Sequence, residues 1–166
     1  VQPMPKLLLS NLSDNPNPMA TLARESILDG CQLEDFNADV ALRCSQLCSE
    51  PATRQVLEQI AREERSHAEF SWSLTSWLLR QDPAEMGAIL QLAKLQLNSL
   101  HRPTAVSRNH QTLVDAADPV QLRLHGRIDD EEWSALWQQR LLQTHARLQA
   151  LLTTVSHKQP QYSFEP

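Results

Sequence analysis

Glu64 and His67 stand three residues apart in the stretch "IAREERSHAEFSWSLTSWLL", Ile60 to Leu79, whose other periodic positions are largely apolar. On a helix that spacing puts a carboxylate oxygen and an imidazole nitrogen on one face, within reach of a single ion. Oxygen and nitrogen donors of this kind suit iron or manganese. A plainer account competes with that one. A Glu-x-x-His pair is common on solvated helix faces, where Glu64 and His67 would meet water, Arg62, Arg65 or a partner chain.

The elements that must position these groups follow from composition and punctuation. The chain has 166 residues, 41% of them hydrophobic, enough to bury one core and too few for two comfortable domains. With only three glycines and no clusters of β-branched residues, it reads as all-α. The expected organisation is a single helical domain over 1–166. It comprises a proline-rich lead (1–17), a helical hairpin (19–81), further helices (82–155) and a tail (156–166). Within the hairpin, one helix is expected from Met19 to Cys48 and a second from Ala52 to Gln81, with Pro51 in the first turn, where its missing N–H costs nothing. Asp82, Pro83 and Glu85 supply an N-cap, an N1 proline and an N3 acid for a third helix running to Leu100. "HRPTAVSRNHQTLVDAADP" reads as a connection, and a last helix opened by Asp129 or Asp130 runs to Val155.

Phasing the second helix gives Leu57, Ile60, Glu64, His67, Ser71, Leu74 and Leu78 as an inward seam, in steps of three and four. The first helix offers Ile27, Cys31, Glu34, Ala38, Ala41, Ser45 and Cys48. Glu34 is its only inward acid, because Glu25, nine residues earlier on an α-helix, points to roughly the opposite side. Folding the two helices about Ser49 and Glu50 sets Glu34 about fifteen residues before the turn and Glu64 and His67 about fifteen and seventeen after it. All three therefore reach one level of an antiparallel hairpin. A lone carboxylate in such a seam costs several kcal/mol unless it is neutralised, paired or bound to a cation.

A Glu facing a Glu-x-x-His is half of the two-metal site of ferritin-like bundles. "ARESILDGCQLED" followed by "LEQIAREERSHAEFSWSLTSWLL" resembles the second helical hairpin of bacterial ferritin-like domain proteins, over roughly Pro16 to Leu79, with weaker likeness in "LHGRIDDEEW". That resemblance implies a ferritin-like antiparallel bundle with Glu34, Glu64 and His67 as metal ligands. It implies iron as the cofactor, in a two-metal site of di-iron or manganese–iron type. The family's first hairpin has no counterpart here, and the last helix offers only His145, with no acid three residues before it. Completion is therefore expected from a second hairpin, supplied by another copy or by a separate chain. The start at Val1 rather than methionine reads as trimming or as one piece of a longer polypeptide.

Two functions from different classes follow as expectations. The first is a non-haem di-iron protein, an O2-dependent oxidoreductase or its subunit. The second is a structural or interaction subunit with a vestigial, metal-free site; iron storage ranks behind both. The formal charge of −5, with acids and bases interspersed, offers no nucleic-acid surface. No apolar run approaches the roughly 20 residues that span a bilayer. Cys31, Cys44 and Cys48 form no CxxC pair and read as reduced packing thiols, so the expected compartment is cytoplasmic. Trp72, Trp77, Trp133 and Trp137 read as core or interface anchors.

Overall fold

The computed structural model describes residues 17–104 and 108–156; the lead before Asn17 and the tail after Ser156 lie outside the described residues. Every element among the described residues is helical. The chain enters α1 (Pro18–Glu25), passes without a break into a π-helical segment (Ser26–Glu34), and continues as α2 (Asp35–Leu47). Asn17 starts this run by accepting a hydrogen bond from the Ala20 amide at 3.0 Å, with Pro18 in the first turn.

After a short link, α3 (Pro51–Gln81) runs back antiparallel along the first run. Glu50 caps it, its carboxylate accepting from the Ala52 and Thr53 amides, which holds that carboxyl below its usual range. The Asp82–Pro83–Glu85 signature opens α4 (Pro83–Leu97), where Asp82 accepts from the Glu85 amide at 2.9 Å. Two short helices follow, α5 (Arg108–Asp115) and α6 (Pro119–Leu124). The last helix, α7 (Asp130–Ser156), is opened by Asp129, which accepts from the Glu132 amide at 2.8 Å.

Three expectations need correction. The stretch read as a connection contains α5, α6 begins at its last residue, and α4 stops at Leu97 rather than Leu100. The first helix is not uniformly α. Its nine π residues use an i→i+5 ladder with a wider turn. The third correction concerns α3. Its buried stripe is Ala61, Ala68, Trp72, Thr75, Leu78 and Leu79, so the Ile60–Glu64–His67 row sits at the rim instead of the centre.

The reason for that shift is visible in what α3 packs on. Asp35, with a side chain only 3% exposed, pairs with Arg65 and with Arg140 of α7, and accepts from the Trp72 indole N–H at 3.1 Å. Asp39 binds the same two arginines at 2.6 and 2.5 Å. These charge-assisted bonds turn the Arg65 and Trp72 face of α3 towards α2, one residue and about 100° away from the Glu64 face. Close approach also demands Gly30, because a Cβ there would lie 2.1 Å from the Ser71 Oγ and 2.4 Å from its Cβ.

α4 packs on α1 and the π segment, and α7 lies along α2, α3, α4 and the π segment. The main core gathers Ile27, Cys31, Trp72, Leu79, Leu90 and Leu148. Beyond Glu34, Phe36 meets Trp133 and Trp137 edge-to-face, with ring centroids 5.2 and 5.0 Å apart. Trp72 and Trp137 are buried as expected of anchors, whereas Trp77 is 45% exposed. All three cysteines are free and buried. Burial pushes the Cys31 thiol up to about 12, so it stays protonated and unreactive at neutral pH.

Candidate metal centre

Glu34 ends the π segment, and Glu64 and His67 lie one turn apart on α3. The antiparallel pairing brings all three together, with one potential ligand atom from each residue within 4.8 Å of the others. His67 Nδ1 is 3.8 Å from Glu34 Oε2 and 3.9 Å from Glu64 Oε2. These separations are too long for hydrogen bonds. They match donors that share one ion, since bonds of about 2.1 Å place neighbouring donors about 3–4 Å apart. A histidinium between two carboxylates would also occupy this geometry.

The electrostatics of the two acids are unfavourable without a cation. Glu34 is pushed up to about 7, first by burial, then by the hydrogen bond and charge of Glu64, and then by the charge of Asp29. The folded chain therefore holds this proton more tightly than a free carboxyl would, and a cation would displace it. The triad is also open. The His67 side chain is 65% exposed, against 34% for Glu34 and 26% for Glu64, so no described part of the chain roofs the imidazole.

Asp29, which the sequence reading did not single out, adds its charge beside Glu34, and Glu25 lies next to Asp29. The Glu25 carboxyl is raised, chiefly by burial and then by the neighbouring Asp29, whose charge also acts on Glu34. On an α-helix, Glu25 and Glu34 lie two and a half turns apart and face opposite ways; the wider π turns reduce that angle. The sequence carries no local signal of a π segment, and only "LDG" at Leu28 to Gly30 hints at a close helix approach.

Other expectations for this neighbourhood resolve differently. Glu69 is exposed and paired. It accepts two hydrogen bonds from Arg147, at 2.7 and 2.8 Å, and the same guanidinium lies 4.4 Å from the Trp72 ring centroid. Arg65 does not serve Glu64, being committed to Asp35 and Asp39. Glu63 accepts from Gln59 at 2.8 Å and stays out of the triad. His145 does not join it either; burial and the Lys94 charge lower its pKa. A cavity of about 750 Å³ between α5, α6 and the start of α7 includes no triad residue. Two of its arginines are already paired, Arg102 with Asp130 and Arg123 with Glu132.

No described helix is long and apolar enough to cross a membrane. Comparison with protein families, curated proteins and solved structures gives no match to this chain.

Proposed function

We propose that this chain carries half of a ferritin-like, two-metal carboxylate site, with Glu34, Glu64 and His67 as the ligands it contributes. The observation that supports this most directly is the convergence of two carboxylates and an imidazole within 4.8 Å, on two helices, at a level where the acids repel each other. The donor set fits iron or manganese. A redox-active metal held there would supply dioxygen reduction, the chemistry of a non-haem oxidoreductase or its subunit. The chain's own contributions are positional. His67 would orient the ion, and Glu34 and Glu64 would balance its charge. The Asp35–Arg65–Arg140 network would hold the two helices in the register that keeps the three donors together.

One observation favours a second reading. Val56, Ile60, Phe70 and Trp77 are exposed along the same side of α3, as expected of an assembly face on a structural subunit whose site is vestigial. Metal loading separates the two. Protein loaded anaerobically with ferrous iron, or in air with manganese, is analysed by mass spectrometry of the metals beside the Glu64→Ala, His67→Ala double variant. The metal reading expects about one ion per chain in the parent and at least a tenfold loss in the variant. Less than about a tenth of an ion per chain in the parent would sink it.

A further inference from the structure

We infer that the partner completing the Glu34–Glu64–His67 site is a second copy of this chain, joined across the open face of α3 in a metal-dependent dimer. The inference rests on the metal reading above and adds to it the identity of the partner and the condition for assembly.

The first argument is spacing. Val56, Ile60, Glu63, His67, Phe70, Leu74 and Trp77 follow alternating steps of four and three, the period of a helix seam that packs against another helix. Four of its apolar members face water in the single chain: Val56 is 57% exposed, Ile60 38%, Phe70 69% and Trp77 45%. The pattern is nearly symmetric about His67. Val56 and Ile60 lie eleven and seven residues before it, and Leu74 and Trp77 lie seven and ten after it. A two-fold axis near His67 therefore brings the amino-terminal apolar pair of one copy level with the carboxy-terminal pair of the other. Such self-complementarity is what an isologous interface requires. The row beside this seam, Gln59, Ser66 and Ser73, is uncharged, and the seam's own acid, Glu63, accepts a hydrogen bond from Gln59 at 2.8 Å.

The second argument is charge and ligand count. Each chain brings Glu34, Glu64 and His67, so two copies bring four carboxylates and two imidazoles to the axis. That is the donor set of a two-metal carboxylate centre. Without cations the four carboxylates repel across the axis, and each chain adds a net charge of −5. Two divalent cations balance the four carboxylates, so ion binding and pairing reinforce each other. The exposed apolar row supplies the contact, and the acids at its centre make that contact conditional on metal.

The test uses the full chain in sedimentation at about 10–100 µM, with chelator, with one equivalent of manganese, or with one equivalent of ferrous iron under anaerobic conditions. The expected result is a species of 18.9 kDa with chelator and of twice that mass with metal. A Phe70→Asp, Trp77→Asp variant is expected to keep its helical circular dichroism and raise the dimer dissociation constant at least tenfold. His67→Ala is expected to abolish the metal response. Metal bound by a chain that stays monomeric overturns the pairing and leaves the metal reading standing. A dimer indifferent to metal, or to the Phe70 and Trp77 changes, also overturns it. Failure to bind either metal removes both readings together.

Discussion

Glu34 shows how much a single carboxyl can report. Its proton is held up to about 7 in the folded chain, against an ordinary value of 4.5, because burial and the neighbouring Glu64 and Asp29 disfavour its charge. The folded state thus binds this proton more tightly than the unfolded state does. The resulting stability is complete below about pH 4.5 and is lost as pH rises through about 7. Metal-free protein is expected to show a melting temperature that falls across this window, with Glu34→Gln removing that part of the slope. An unchanged slope in Glu34→Gln would place the pH dependence elsewhere. The three ligand candidates were legible in the sequence because helix spacing and level across a hairpin are simple arithmetic. The charge of Asp29 on Glu34 was not, because both sit on a segment that departs from α-helical phase. Asp35 was overlooked for a different reason. It reads as an ordinary helix acid, and its burial becomes intelligible only when Arg65, Trp72 and Arg140 arrive from other helices.

At the scale of elements, helix ends were easier to read than helix faces. Caps such as Asp82 on α4 and Asp129 on α7 act within three residues, so their chemistry is written locally. The inward face of α3 was misjudged by about one residue because Ala61 and Ala68 look bland beside Ile60. Yet small residues are what let α2 lie close enough for Arg65 to reach Asp35 and Asp39. Gly30 makes the same point in a form that can be measured. Helix propensity alone would make Gly30→Ala favourable by about 1 kcal/mol. The added Cβ would meet not only the Ser71 Oγ but also its Cβ, which rotation cannot remove, so α3 must shift. Overpacking of this kind costs about 1–3 kcal/mol, and a net loss of stability is expected in denaturant titration. Pairing the change with Ser71→Gly is expected to recover most of that loss. Additive effects of the two substitutions would mean that this contact does not set the spacing of the helices.

Over the whole molecule, one side of the hairpin is covered by α4 and α7 while the other carries the triad in an apolar row. An all-helical class was legible from glycine scarcity and the absence of β-branched clusters, since both can be read without knowing how the helices pack. Which face stays open was not, because it depends on where α4 and α7 return. Ligand linkage gives this arrangement a stability signature. A metal present at a hundred times its dissociation constant is expected to add about 2.7 kcal/mol to unfolding free energy in thermal or denaturant melts. Glu64→Ala with His67→Ala is expected to abolish that gain. A parent chain melting identically with and without manganese would count against ion binding in the folded state.

The π segment also bears on what kind of genetic change the centre can survive. Its flanks are pinned separately, Ala23 in the core with α4, and Asp35 and Asp39 by arginines of α3 and α7. Between two fixed flanks, a wide turn accommodates residues that a regular α-helix would have no room for. Losing one residue within Ser26–Glu34 would let the run relax to α-helix with its flanks near their present positions, and would reset the phase of the acids along it. The acid row is thus held by chain length as much as by residue identity, and an insertion or deletion here would alter it where most substitutions would not.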